Sequence, residues 1–353
     1  MKKQTLKLFT ISLIAFVIII SVLLYFFSER FTRSWIPIDH GFGDTVTLSP
    51  DDQKIVFPFY QSGDGALYKA NLDGTEVVQL TYPRQNESHV HPRYSRSGEK
   101  LLFLSQEKTT ENLKQSLYIM SRDGNDLMRL SENKELIIDA IFSEDDKKIY
   151  YLGAENYNSE GIGPKAGPVN VDLYSISVTG ENKERLTKTQ SLKKRSLSIT
   201  EDGKKIGYVQ VDEGEEGKTT SNYIVYDKEQ KEAKMVKPNN KGVASDLIYS
   251  GRISPDGSLI AFSAGSANPR KESQTIYELY TMDINGDKVE PVTSFRTFIT
   301  EPTFFHQSNR VLFIQDQSWT KGQANFKLWA LDLNGERIKS ITLQMPQFSG
   351  TAL

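Results

Sequence analysis

Residue types that could support catalysis or metal binding are sparse in this sequence. It contains four histidines and no cysteine, which excludes thiol nucleophiles and cysteine-ligated metal centres. His89 and His91 form the only histidine pair with ligand-like spacing, and a strand would present both on one face. Because no third ligand can be named, we interpret them as polar residues at the start of a strand, and we expect no metal and no cofactor. The sequence also lacks a Gly-x-Ser-x-Gly pentapeptide, the mark of an α/β-hydrolase nucleophile.

A repeated motif organises the chain and must position these side chains. A Ser-Pro-Asp-Gly-type turn followed by an Ile-x-Phe run recurs six times, at intervals of about 50 residues. Leu-Tyr, Asp-Gly or Asn-Gly, and Leu-Thr pairs follow in most copies, whereas the fourth copy has Lys228-Glu229 in place of the glycine turn. Asp-Gly and Asn-Gly between alternating apolar runs predict hairpins with type I′ turns, in which both central residues have positive φ. The copies begin at Ser49, Ser95, Ser143, Thr200, Ser254 and Phe305.

Each copy therefore predicts four short antiparallel strands, here named A to D. Strand A ends at the Ser-Pro-Asp-Gly turn, which makes the Asp-Asp pairs at 51–52 and 145–146 turn residues. A single four-stranded sheet cannot bury both faces alone, so the units are expected to pack around an axis as an all-β, six-bladed β-propeller. A β-sandwich does not explain six copies with the same turn at the same offset.

The repeat resembles that of the TolB-type propellers, which also occurs in the N-terminal propellers of prolyl-oligopeptidase-like enzymes. The copy at residues 253–293 carries the motif almost completely, and the resemblance covers about residues 42–343. It implies a six-bladed propeller of a kind that mostly binds proteins, peptides or glycans. The repeats leave no room for a hydrolase domain of roughly 200 residues. We therefore expect that the chain is not an enzyme.

The N-terminal segment predicts a membrane anchor. Residues 8–27 carry no charge, proline or glycine, and a helix of that length crosses a hydrocarbon core of about 30 Å. Residues 28–31 lack the small-x-small pattern of a signal-peptidase site, which favours an uncleaved signal-anchor over a cleaved signal peptide. Lys2, Lys3 and Lys7 precede the apolar run, so the N-terminus is expected in the cytoplasm and the propeller outside it.

These observations predict a single-pass protein of the cell membrane with five parts. The net charge is −2, and the part beyond the anchor is more acidic still, so no nucleic-acid partner is expected. The predicted parts are a cytoplasmic N-terminus (1–7), a transmembrane signal-anchor helix (8–27), a linker (28–41), the propeller (42–343) and a C-terminal tail (344–353).

Strand A is the innermost strand of a blade, so its polar positions identify the residues expected in the central tunnel. The second residues before the turns are Thr47, Arg93, Ile141, Ser198, Arg252 and Thr303, and the fourth are Thr45, His91, Asp139, Ser196, Ser250 and Glu301. Blades three apart face each other in a ring of six, which would place Arg93 opposite Arg252 and Asp139 opposite Glu301.

We hypothesise that these four charged residues and His91 form a ligand site at the tunnel mouth. Such a site would suit a carboxylate-bearing or zwitterionic group, for example a peptide terminus. The alternative is that the charges pair with one another and only keep the tunnel wet.

Two long B–C connections suggest a second recognition surface. In the third repeat the connection runs from about Gly153 to Val171 and carries Tyr157, and in the sixth it runs from 315 to 325 and carries Trp319. Aromatic residues on loops of a rigid scaffold favour recognition. A tolerated insertion explains the same lengths equally well.

The function predicted from sequence is a membrane-anchored extracytoplasmic module that binds a protein, a peptide or a cell-envelope ligand. The alternative class is a propeller-type polysaccharide lyase or glycoside hydrolase, which would need clustered acid and base groups; only His91, Asp139 and Glu301 point in that direction. A third possibility is a non-catalytic scaffold subunit of a membrane complex.

Overall fold

The computed structural model describes residues 40–108, 114–131, 136–158, 167–213, 218–239, 243–266, 276–319, 324–334 and 338–346. The predicted cytoplasmic N-terminus, the signal-anchor helix, most of the linker and the end of the tail lie outside these residues. Within the described segments, no helix is long and apolar enough to cross a membrane.

The described chain is built from 25 strands, and each repeat contributes a consecutive set. The strands are β1 (Gly41–Phe42), β2 (Thr47–Leu48), β3 (Lys54–Gln61), β4 (Asp64–Asn71), β5 (Val78–Gln79), β6 (Glu87–Tyr94), β7 (Lys100–Glu107), β8 (Lys114–Ser121), β9 (Met128–Arg129), β10 (Leu136–Phe142), β11 (Lys148–Asn158), β12 (Gly167–Ser177), β13 (Glu184–Arg185), β14 (Lys193–Ile199), β15 (Lys205–Glu213), β16 (Thr219–Asp227), β17 (Glu232–Val236), β18 (Val243–Ile253), β19 (Leu259–Ser266), β20 (Tyr277–Asp283), β21 (Glu290–Pro291), β22 (Phe298–Phe304), β23 (Arg310–Asp316), β24 (Phe326–Asp332) and β25 (Ile338–Ile341).

Hydrogen bonding groups these strands into antiparallel units, as predicted. The first four repeats each form a separate sheet, of five strands in the first repeat and four in the next three. The fifth and sixth repeats share an eight-stranded sheet, because Tyr277 of β20 pairs in parallel with Phe298 of β22. The fold is an all-β propeller with four-stranded antiparallel blades.

The Ile-x-Phe and Leu-Tyr motifs meet in the core as cross-strand aromatic pairs. The aromatic residue of strand B lies directly opposite the aromatic residue of strand C, and stacked aromatic pairs stabilise a sheet beyond the area they bury. The stacked pairs are Phe57–Tyr68, Phe103–Tyr118, Tyr151–Tyr174 and Phe262–Tyr280, with ring centroids 6.3, 5.4, 5.4 and 5.6 Å apart.

The Leu-Thr motif satisfies a buried backbone group in four repeats. In each, the hydroxyl of the Thr or Ser accepts a hydrogen bond from the backbone N–H of the leucine in Leu-Tyr, which is a group that would be costly to bury unpaired. The pairs are Thr81–Leu67, Ser131–Leu117, Thr187–Leu173 and Thr293–Leu279, at 2.9, 2.9, 3.0 and 2.9 Å.

The A–B turns also connect repeats. Asp52 adopts a φ of 58° in its turn, and its carboxylate accepts hydrogen bonds from the backbone N–H groups of His306 and Gln307, both at 2.8 Å. One apolar cluster contains Phe57 of the first repeat and Leu312 of the sixth. The last repeat therefore packs on the first. The Asp-Asp pairs are turn residues, as predicted.

The C–D turns differ from the predicted type I′ hairpins. Gly74 has a φ of 91°, whereas the φ of Asp73 before it is not positive. Gly74 N–H donates to the carbonyl of Asn71 at 2.9 Å, so the glycine closes a four-residue turn instead of occupying its centre. In the fourth repeat, β16 and β17 form their hairpin without glycine, and Lys231 takes a φ of 57°.

Candidate functional site

A cavity of about 160 Å³ lies where the first strands of all six repeats converge. Every residue at the second position before the turn lines it, as expected for the tunnel wall. These residues are Thr47, Arg93, Ile141, Ser198, Arg252 and Thr303. Residues at the fourth position lie beyond the cavity, toward the start of each strand A.

Two faces of the tunnel can be distinguished by topology. Each strand A begins at the face that carries the D–A and B–C connections, here called the B–C face. It ends at the face that carries the A–B and C–D turns, here called the A–B face. The cavity lining includes residues of the A–B turns, so the cavity belongs to the A–B half of the tunnel.

Arg93 is held in the cavity wall by the next repeat. Its Nη2 donates to both carboxylate oxygens of Asp139, at 3.1 and 3.3 Å, and its Nη1 donates to the Pro92 carbonyl at 3.0 Å. The whole side chain is only 8% exposed. Its Nε–H is buried and has no hydrogen-bond partner among the described residues, so one donor of this cation is left unsatisfied there.

Arg252 repeats this arrangement in the fifth repeat. Its Nη2 donates to Glu301 of the sixth repeat at 3.0 Å, and its Nη1 donates to the Leu197 carbonyl of the fourth at 2.8 Å. Its Nε–H is likewise buried without a partner in the part of the chain that the structure describes, and its side chain is 9% exposed. Each arginine therefore pairs with an acid of the next repeat. This is the alternative raised by the sequence, in which the charges of the tunnel pair with one another.

β-Bulges place the acids for these contacts. Five of the A strands shift register against strand B, and three fourth-position residues, His91, Ser196 and Glu301, take φ values of 52°, 58° and 49°. A bulge opposes two residues to one and re-aims a side chain. Asp139, at another of these irregularities, accepts from Leu197 N–H at 2.9 Å as well as from Arg93. The repeat pattern does not predict these bulges.

The electrostatics favour the ionised form of Asp139. Burial alone would raise the pKa of Asp139, but Arg93, His91 and Arg252 outweigh it and leave this pKa below its ordinary value. Burial lowers the pKa of Arg93, Arg252 adds to that effect, and Asp139 and Glu301 oppose it. Both arginines line the same cavity.

His91 and a residue missed by the sequence reasoning lie toward the B–C face. His91 Nδ1 is 3.9 Å from Asp139 Oδ1, too far for a hydrogen bond. Asp44 lies five residues before its turn, and its side chain is exposed to solvent. The protein atoms around it nevertheless raise the pKa of its carboxyl by desolvation; His91 opposes this shift and Glu301 adds to it. A search one position further along each strand A would have found Asp44.

Of the two aromatic residues expected on B–C connections, Tyr157 is positioned differently from the prediction, whereas Trp319 lies on the connection between β23 and β24. Tyr157 lies on β11 and pairs with Pro168 of β12, since the two strands stay paired through Asn158 and Gly167. That pairing satisfies backbone groups which a loop would leave open, so most of the predicted loop is a β-ribbon. Trp319 follows β23 and stacks on Phe298 with ring centroids 4.1 Å apart. Both side chains are half-buried.

Metal ligation finds no support in the described residues, where no group of three or more His, Asp or Glu side chains could hold an ion. His89 is buried against Phe103, with ring centroids 4.8 Å apart. Its Nε2 lies 3.4 Å from Glu87. His89 and His91 occupy strand β6, where the sequence placed them.

Comparison with known proteins identifies the fold and nothing finer. No protein-family model matches the sequence, and no curated protein matches it. The structure is similar to that of TolB from Acinetobacter baumannii, with 18% identity, a TM-score of 0.55, and coverage of 82% of this chain and 60% of that one. The chain thus spans less than two thirds of that protein. At such identity the likeness shows a β-propeller like that of TolB.

Two further similar structures come from enzymes. The β-propeller domain of the Trilobed protease from Pyrococcus furiosus, which has an open velcro topology, matches at 13% identity, a TM-score of 0.50, and 88% and 98% coverage of this chain and of that one. Oligogalacturonate lyase from Vibrio parahaemolyticus matches at 12% identity, a TM-score of 0.50, and 84% and 92% coverage.

These matches contradict the expectation that the chain is not an enzyme. Propeller enzymes share the fold, and the missing Gly-x-Ser-x-Gly motif excludes one hydrolase architecture only. The lyase or glycosidase alternative is not better supported, because the acid it would use is already engaged. Asp139 is 3% exposed and accepts hydrogen bonds from Arg93 and Leu197.

Proposed function

We propose that the six repeats close one six-bladed ring. All six first strands line a single cavity, and the Asp52 carboxylate ties the first repeat to the last. The fifth and sixth repeats each contain four consecutive antiparallel strands, and the pairing of Tyr277 with Phe298 joins them only at one position. The eight-stranded sheet therefore supports an interpretation as two adjacent blades.

We further propose that residues 8–27 anchor this ring to the cell membrane, with the propeller outside the cytoplasm. The uncharged apolar run and the lysines before it support this topology. Reporter fusions placed after Leu353 test it. An enzyme reporter that is active only outside the cytoplasm is expected, and one active only inside would reverse the orientation.

The proposed activity is binding of a protein, peptide or cell-envelope ligand through the tunnel. The observation that carries it is that two arginines, Arg93 and Arg252, line one cavity. A carboxylate or zwitterionic group, such as a peptide terminus, would complement the positive charge of these two side chains. Hydrogen bonds to charged groups contribute about 1.5–3 kcal/mol each.

Preorganisation supports the same proposal. Asp139 and Glu301 fix the two guanidinium groups before any ligand arrives, so little side-chain entropy remains to be lost on binding. The carboxylates also offset the arginine charges, which suits a ligand with a polar or zwitterionic end better than a multiply charged anion.

Quantitative affinity capture of the full-length protein from its native membranes tests this function. Truncating an arginine alone would leave its acid buried and unpaired, so the test variant replaces both partners, Arg93→Gln with Asp139→Asn. The matched control replaces an exposed pair, Lys204→Gln with Glu229→Gln, whose partners are 3.0 Å apart on the surface.

The expected result is at least one component that wild type and the surface-pair control retain and the tunnel variant loses. An identical set of captured components from all three proteins, with all three folded, would refute a ligand site at these arginines.

A further inference from the structure

A second ring of residues forms the cavity's rim at the A–B face. Each repeat contributes the residue that follows the first turn position, and none of the fourth-position residues takes part. The rim residues are Pro50, Arg96, Glu144, Glu201, Pro255 and His306. The cavity is therefore closest to solvent at the turn face, away from the face that carries the long B–C connections.

An ion pair spans this rim between repeats that are not neighbours. Arg96 of the second repeat donates from Nη2 to Glu201 Oε1 of the fourth, and the third repeat lies between them in sequence. Glu144 of that third repeat is engaged by Lys228 at 2.9 Å, so it does not compete for Arg96. The pair thus connects two sides of the same opening.

The ion pair is fixed at its backbone and free at its side chains. The Arg96 N–H donates to the Asp146 carboxylate at 2.6 Å, and the Glu201 N–H donates to the Pro255 carbonyl at 2.7 Å. The side chains are 34% and 58% exposed, and exposed ion pairs contribute only about 0.2–1 kcal/mol. Rotamer changes alone, which take picoseconds to nanoseconds, would separate them.

We propose that the A–B face is the ligand entrance and that the Arg96–Glu201 pair is a latch across it. This inference rests on the proposed binding role of the tunnel and names the ligand class, a compact free carboxylate such as a peptide C-terminus. On entry the carboxylate replaces Glu201 as the partner of Arg96, and the rest of the ligand lies in the cavity beside Arg93 and Arg252.

The size and charge of the cavity agree with that class. A cavity of about 150 Å³ holds a benzene-sized group, and this one, at 160 Å³, accommodates a carboxylate with one small side chain. Burial lowers the pKa of His306; the Asp52 carboxylate opposes this shift, and Arg96 adds to it. His306 is thus neutral at pH 7, which leaves arginines as the cations of the rim and wall.

Single-cysteine labelling tests the latch without any ligand. Because the chain has no cysteine, Thr303→Cys places a unique thiol in the cavity wall. Its rate of alkylation by iodoacetamide is measured in the full-length protein with and without Glu201→Gln. Glu229→Gln, which removes an exposed acid of another ion pair, is the matched control. Ser196→Cys, at the fourth position, reports on the other half of the tunnel.

The expected result is labelling at Thr303→Cys about 2- to 5-fold faster with Glu201→Gln, the range given by the strength of an exposed ion pair. High salt should bring the protein with intact Glu201 toward the same rate, since salt screens exposed charges. Unchanged labelling of Thr303→Cys, or an equal acceleration at Ser196→Cys, would overturn the latch.

Peptide binding then tests the ligand class. The probes are N-acetylated tripeptides with free carboxylates and the same peptides as amides, titrated against wild type, Glu201→Gln and Arg96→Gln. We expect free-carboxylate peptides to bind Glu201→Gln 2- to 5-fold more tightly and Arg96→Gln more weakly. The amides should not distinguish the three proteins.

The failures of the two proposals differ. Peptides that bind in an Arg93-dependent way but ignore both rim substitutions would reject the latch and leave the tunnel site intact. A latch that responds in the labelling test while no peptide binds would reject the carboxylate ligand.

Discussion

Neutralising Asp139 alone should destabilise the propeller strongly, because it leaves the buried Arg93 cation without its partner carboxylate. In Asp139→Asn the guanidinium of Arg93, 8% exposed, loses the carboxylate that accepts two of its hydrogen bonds. The new amide oxygen can still accept from Leu197 N–H. Breaking a buried ion pair from one side costs about 3–5 kcal/mol, so we expect a loss of that size in the free energy of unfolding.

The assay is urea unfolding of the full-length protein in detergent micelles at pH 7, followed by tryptophan fluorescence. The paired variant Arg93→Gln with Asp139→Asn should lose less than the single variant, since a neutral pair leaves no uncompensated charge. Asp126→Asn, at an exposed turn residue, is the surface control. A loss below about 1 kcal/mol in Asp139→Asn would show that Arg93 is solvated in the tunnel and that its charge does not depend on Asp139.

The pH dependence follows from the same contact. The pKa of Asp139 is lowered in the folded protein, so its ionisation stabilises the fold at pH values above the ordinary pKa of the carboxyl. This contribution declines as the pH falls through the lowered pKa. Asp139→Asn should therefore show a flatter acid limb in its stability profile than wild type. Parallel acid limbs in the two proteins would contradict the assigned pKa shift.

Two further predictions concern positions away from the tunnel. Burial would raise the pKa of Asp172, but hydrogen bonds, first that from Thr187, lower it to about 2. In urea titrations, Asp172→Asn should therefore cost about 2 kcal/mol of unfolding free energy at pH 7, and this difference should shrink as the pH falls from about 4 toward 2. A difference that does not change with pH would contradict this prediction. Gly74→Ala would bring a Cβ within 2.1 Å of the Thr342 carbonyl oxygen, whereas at Gly63, also at positive φ, the nearest atom is a flexible side-chain end at 3.7 Å. Gly74→Ala should therefore lower the thermal midpoint by more than Gly63→Ala, and equal shifts would show that φ strain alone decides.

The repeat could be recognised from sequence because its motifs report local chemistry. The Leu-Thr pairs mark a hydroxyl that caps a buried N–H, as Thr81 does for Leu67, and the aromatic residues of strands B and C mark cross-strand stacks such as Phe57 on Tyr68. Both interactions are short in sequence and recur in register. Of the two strand A positions expected in the tunnel, the second before the turn lines the cavity and the fourth does not.

The pairing of the charges could not be predicted in the same way. Alternation along strand A placed Arg93 and Asp139 in the tunnel, but their contact depends on β-bulges and on the angle between neighbouring repeats, which carry no local motif. The rim residues Arg96 and Glu201 were missed for two reasons. The residue type at this turn position differs from repeat to repeat, and the position was interpreted only as part of the A–B turn. The ribbon at Tyr157 was missed because glycine and proline near its tip favoured a loop.

The most direct test of a ligand site in the tunnel is the dissociation constant of the captured ligand for the full-length protein. It should be measured for wild type, for Arg93→Gln with Asp139→Asn, and for the surface-pair control. Loss of one charge-assisted hydrogen bond predicts affinity weaker by about 10- to 100-fold in the tunnel variant and unchanged in the control. Equal affinity in all three folded proteins would contradict a ligand site in the tunnel.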